Sequence, residues 1–95
     1  MSTTTTLTAE SRPGLSPHAR LKKDSARGGW VLLGPERVLM LDELAAEVLA
    51  LCDGATSVAG ISDLLAERHS APSAEVLGDV IEMLQNLRDK GLLTA

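Results

Sequence analysis

The chain has 95 residues, 44% of them hydrophobic and 23% charged, with a formal net charge of −4. Its apolar set is 17 Leu and 12 Ala against one Trp and no Phe or Tyr, which suits a small helix-rich core and excludes a large enzyme with a deep private pocket. The acidic balance disfavours phosphate-backbone binding, so no nucleic-acid partner is expected.

Residues 1–17 hold Thr and Ser runs with Pro13, Gly14 and Pro17 and little to bury, predicting a flexible N-terminal tail ahead of a domain over 18–95. From Ala19 to Lys23 apolar and basic residues alternate, and Gly28-Gly29 suit a turn. Two apolar runs follow, Trp30–Leu33 and Val38–Leu41. Between them Gly34-Pro35-Glu36 reads as a hairpin turn, with Pro presetting φ and Gly permitting a positive one, so a three-stranded antiparallel meander is expected.

The period then becomes helical. Leu41, Leu44, Ala45, Val48, Leu49 and Cys52 mark one helix face, with Asp42 as N-cap and Gly54 just past the end. Thr56 or Ser57 caps a second helix to about Arg68 that buries Val58, Ile61, Leu64 and Leu65. A third runs from about Ala74 to Lys90 and stops at Gly91, with Leu92 and Leu93 as an apolar end.

On the third helix Leu77, Ile81 and Leu84 form one stripe and Val76, Val80, Met83 and Leu87 another beside it. Together they span roughly 160°, more than the ~100° of a single buried face, so the surplus either seats the helix deeply or lines a groove. Arg88 falls between Leu77 and Ile81 in angle, where its stem can pack and its head reach water or an acidic ligand. The meander also has two edges, 21–23 and 37–41, either of which could accept an extended peptide through its backbone. Residues 18–37 carry five basic and two acidic side chains, and residues 38–95 three basic and ten acidic, so an acidic peptide is drawn to the strands.

No catalytic constellation is present. Ser25 lies in a turn signal without a histidine partner, Cys52 sits on an apolar helix face, and the glycines lack phosphate-loop spacing, so no catalytic residue is assigned. One cysteine and two histidines, His18 and His69, cannot make a zinc site, and no metal or cofactor is expected. The start of the chain has no basic, then apolar, signal pattern, and no run approaches the roughly 18 apolar residues of a membrane span. A cytoplasmic protein without a membrane partner is expected.

Strands, three helices and an apolar strand-like end make the layout of an α+β, winged helix-turn-helix-like fold: a three-stranded antiparallel sheet followed by a three-helix bundle. Arg12-Pro13, Arg20-Leu21 with Asp24 and Arg27, and Val31-Leu32-Leu33 with Pro35-Glu36 stand in the first half. Ala45-Ala46 with Leu49, Leu51-Cys52-Asp53-Gly54, Asp79-Val80 with Leu84 and Leu87, and Gly91-Leu92-Leu93 follow. In this order and spacing, over residues 12–93, they resemble the PqqD family.

The resemblance implies a non-catalytic peptide chaperone in pyrroloquinoline quinone (PQQ) biosynthesis, a recognition element for ribosomally made, modified peptides (RiPPs). Such a protein binds the precursor peptide PqqA and presents it to the radical S-adenosylmethionine enzyme PqqE. It also implies that the peptide adds as a strand beside the third strand and rests on the third helix. Carried onto this chain, that selects Arg37, Val38, Leu39, Met40 and Leu41 as the pairing edge, over Leu77, Val80, Ile81 and Leu84, with Arg37 and Arg88 meeting acidic groups of the peptide. Arg20 and Arg27 are assigned to the surface that meets PqqE, and the sheet edge and tail offer a route to a homodimer. The alternative is a winged-helix DNA-binding regulator, against which stand Glu75, Asp79, Glu82 and Asp89 on the third helix, opposed by only Arg88 and Lys90.

Overall fold

Alternation of charged and apolar side chains builds the sheet, and helical periodicity builds what covers it. The computed structural model describes residues 7–26 and 28–95. In chain order its elements are β1 (Gly14–Leu15), β2 (Arg20–Asp24), β3 (Gly29–Gly34), β4 (Arg37–Leu41), α1 (Glu43–Ala50), α2 (Val58–His69), α3 (Ser73–Asp89) and β5 (Leu93–Thr94). The meander is antiparallel in the order β2-β3-β4, and β1 pairs with β5 in a separate two-stranded sheet. Among the described residues no helix is long and apolar enough to cross a membrane.

Cross-strand partners share a face, so the register sorts the sheet. Leu21, Leu32 and Leu39 stand in one row and join the core, as does Leu41 opposite Trp30. Arg20, Leu33 and Val38 form a row on the other face, and Lys22, Val31 and Met40 the next. The β3–β4 turn has only Pro35 and Glu36 between paired Gly34 and Arg37. Gly34 does not take a positive φ there. Its role is close approach: a Cβ on Gly34 would stand 2.5 Å from Leu92 Cδ2.

Asp42 caps α1 by accepting the Ala45 N–H at 2.7 Å. The helix ends at Ala50, two residues short of Cys52, and Gly54 is not its stop. Asp53 draws the chain away by accepting the Ala55 and Thr56 N–H groups, while Gly54, at φ +78°, donates its N–H to the Pro13 carbonyl at 2.9 Å. Leu44, predicted to be buried, is 54% exposed, and Leu64 on α2 is exposed as well. The apolar face of α2 is completed instead by Ala66, beside buried Ser62. Ser57 is the cap of α2, accepting the Gly60 N–H. α2 and α3 pack as a pair, whereas α1 packs chiefly on the meander.

α3 ends in a Schellman turn. Gly91 at φ +78° donates to the Arg88 carbonyl and Leu92 to the Leu87 carbonyl at 3.0 Å, satisfying two of the helix's free carbonyls. This reverses the chain and drives Leu92, 1% exposed, into the core. Burial of such a side chain contributes about 1.5–3 kcal/mol.

Part of the segment read as a tail is packed. Leu7 and Pro13 are buried, and Leu15 pairs with Leu93. The Leu7 N–H donates to Gln85 Oε1 at 2.8 Å. Ser11 and Ala9 accept the Val58 and Ala59 N–H groups, so with Ser57 they satisfy the first three free donors of α2.

Gly34→Ala should destabilise the fold by about 1–3 kcal/mol, because the buried Leu92 side chain must shift within the core to admit the new methyl; chemical denaturation measures it. The Asp53 carboxyl is held below the ordinary aspartate value of 3.8, first by the Ala55 N–H and then by the Thr56 N–H. It therefore binds its proton less readily folded than unfolded, and its stabilisation is complete above that value and lost as pH falls through the lowered one. Asp53→Asn keeps an acceptor but should flatten the acid limb of stability against pH, as read by thermal unfolding between about pH 2 and 6.

Candidate functional site

A strand is sticky where its backbone groups lack partners, and the meander leaves β4 at an edge. A hairpin closed by a two-residue turn alternates its hydrogen bonding, so Arg37, Leu39 and Leu41 spend their N–H and C=O groups on β3. Val38 and Met40 turn theirs toward the free edge. Their side chains, 62% and 57% exposed, stand on the face away from the core.

Beside the end of β4 lies a cleft of about 390 Å³, lined by Leu41 and Ala45 on one side and Asp79, Glu82, Met83, Asn86 and Leu87 of α3 on the other. It runs on, through shared Ala45, Asp79 and Met83, into a wider cleft of about 770 Å³ between α1 and α3. That second cleft has Leu44, Val48, Leu65, Val76 and Val80 among its apolar lining, with Asp42, Glu43, Glu47 and Glu75 as carboxylates. At its far end Glu47 pairs with Arg68 at 2.9 Å and His69 at 2.8 Å, tying α1 to the end of α2. The His69 ring, and then the Arg68 guanidinium, hold the Glu47 carboxyl below the usual glutamate range.

The helix periodicity explains which α3 residues meet these clefts. Val80, Leu84 and Leu87 are buried along the middle of the inward face. Val76 and Met83 flank it on the side of β4 and α1. Leu77 and Ile81 flank it on the opposite side, the side of Gln85, where the N-terminal segment is held through Leu7. The structure thus does not bring Leu77, Val80, Ile81 and Leu84 together beside β4: two are core and two lie on the far flank. Arg88 falls in angle on that far flank too, while Arg37 is exposed at the start of β4. Of the first cleft's lining the sequence reading assigned only Leu41 to the peptide, and missed Ala45, Asp79, Glu82 and Asn86 as well as the apolar pair Met83 and Leu87. The signal was the second apolar stripe, whose partner the periodicity alone does not identify.

Arg20 is exposed on β2, and Arg27 lies outside the described residues. Cys52 is buried, its thiol donating to the Val48 carbonyl. Burial first, and the Asp53 charge second, push its pKa up to about 12, which leaves little thiolate for nucleophilic chemistry near neutral pH. Among the described residues no three His, Cys, Asp or Glu side chains are grouped to hold a metal ion.

The chain matches the family model described as Coenzyme PQQ synthesis protein D (PqqD) over residues 29–93. A PqqA binding protein of Rhodopseudomonas palustris strain TIE-1 is 60% identical over 84 residues, covering 88% of this chain and 82% of that one. The PqqA binding protein of Xanthomonas axonopodis pv. citri is 45% identical over 87 residues, covering 92% and 95%. In three dimensions the chain is similar to the PqqD part of Methylobacterium extorquens PqqCD, described as a functional, stand-alone RiPP recognition element. There the TM-score is 0.83 at 35% identity, covering 94% of this chain and 95% of the other. The crystal structure of PqqD from Xanthomonas campestris matches with a TM-score of 0.60 at 42% identity, covering 95% and 100%. By its family match, its relatives and its fold, this chain belongs to the PqqD family.

Proposed function

We propose that the protein is a non-catalytic peptide chaperone of PQQ biosynthesis that binds the precursor PqqA and presents it to PqqE. The observation that carries the reading is a free β4 edge running beside an apolar cleft on α3, in a chain whose relatives are named for PqqA binding.

The peptide adds as a strand to β4, using the N–H and C=O groups of Val38 and Met40. Its side chains alternate. One set turns inward over Leu41, Met83 and Leu87, and the other stands outward beside Val38 and Met40. Because backbone pairing tolerates many sequences, the cleft and its charges supply discrimination. Arg37, at the hairpin end, suits an acidic residue of the peptide. Asp79 and Glu82, at the Leu41 end, suit a basic or amide residue, so the two ends of β4 fix the direction of the bound strand.

A DNA-binding role is disfavoured by α3, whose exposed surface carries Glu75, Glu82 and Asp89 where a recognition helix needs cations.

Titration calorimetry with synthetic PqqA tests the site, with Trp30, the cross-strand partner of Leu41, as a fluorescent reporter. Met83→Asp should weaken binding about 10- to 100-fold, as loss of a central apolar anchor does. Val38→Pro, which removes one edge N–H at a position where an edge strand tolerates Pro, should weaken it about tenfold. Glu67→Ala, exposed on α2, should change nothing. Equal binding by all three variants with the fold intact overturns the groove.

A further inference from the structure

The outer face of the meander lies outside both the main core cluster and the clefts. Its two rows repeat one composition: a cation on β2, an aliphatic side chain on β3 and a strongly exposed aliphatic on β4, as Arg20-Leu33-Val38 and Lys22-Val31-Met40. None of these six side chains belongs to the main core cluster, and while Val31 on the central strand is itself buried, Arg20, Lys22, Val38 and Met40 around it are exposed. Val38 and Met40 head the exposed large hydrophobic residues among those described. Exposed aliphatic side chains grouped this way, beside cations, mark a protein-interaction surface.

We propose that this face docks the enzyme that acts on the peptide, through a protein surface that presents aliphatic side chains ringed by carboxylates. The inference rests on the presentation reading above and gives it a location. Charge selects the face: an acid-rimmed partner is repelled by the carboxylates along the α1–α3 cleft and attracted by Arg20 and Lys22. Continuity selects the partner. A peptide strand paired to β4 extends both rows by one residue, because cross-strand neighbours share a face, so the outward side chains of the peptide complete the docking surface. An enzyme seated there contacts chaperone and peptide at once, and it binds the loaded chaperone more tightly than the empty one. By linkage the peptide is held more tightly in its presence, by the same factor.

The test measures PqqE binding to the full chain with and without PqqA, for the wild type, the Arg20→Glu/Lys22→Glu double variant and Leu33→Thr. None of these positions lies at the β4 edge, so PqqA affinity alone should be unchanged in Leu33→Thr, and in the double variant it should lose only the long-range attraction that salt screens, a loss measured alongside and removed at high salt. PqqE affinity should fall about tenfold or more in the double variant, with a shallower dependence on salt, and should fall in Leu33→Thr with the salt dependence retained. Wild-type binding to PqqE that both variants match overturns this location while leaving presentation intact. A wild type that binds PqqA but never PqqE overturns presentation itself. If sedimentation shows a wild-type dimer that Leu33→Thr dissociates while PqqE affinity is unmoved, the face belongs to a second copy of the chain and the proposal is wrong.

Discussion

The contact of Leu92 with Gly34 fixes the relation between the sheet and α3, and the β4 cleft exists only through that relation. The Schellman turn at Gly91 sets the direction of Leu92, and the absent side chain at Gly34 gives it room at the hairpin end of β3. One residue later Leu93 pairs with Leu15, which locks the same junction from outside. Were the helix end to shift by a residue, Met83 and Leu87 would move around the helix axis and face the core or solvent in place of Leu41.

The two sides of the molecule answer different demands with one strand. β4 turns Leu39 and Leu41 inward and Val38 and Met40 outward, and it leaves the backbone of the outward pair free. The carboxylates gather around α1 and α3, and the cations stand on β2 and at the start of β4. Such a dipolar arrangement orients an approaching peptide before any contact forms, and salt should weaken that orientation more than the apolar contacts.

Much of this was legible in the sequence, for reasons that can be traced to particular residues. The meander announces itself through alternation at 19–23 and through Pro35-Glu36, and the caps Asp42, Ser57 and Gly91 act where their chemistry predicts. β1 and β5 were not legible: two-residue strands carry no periodic signal, and their pairing joins Gly14 to Thr94, 80 residues away, beyond the end of α3. The exposure of Leu44 reflects the way α1 leans on the sheet, which a helical wheel does not contain. The same limit explains α3. Its periodicity shows both apolar stripes, but not that Leu77 and Ile81 pack onto the core cluster while Val76 and Met83 line the clefts beside β4 and α1.

The pairing of the N-terminal segment with the end of the chain has a temporal meaning. Leu7 meets Gln85 across 78 residues, and Gly14 meets Thr94 across 80. The first donors of α2 are held by Ala9 and Ser11, residues made early that reach their final places only when α3 is made. During synthesis from the N-terminus, the opening segment therefore waits for nearly the whole chain before it has anything to close upon. It acts as a clasp, the last part to fasten, and it ties the start of α2 and Gln85 of α3 to the end of the chain.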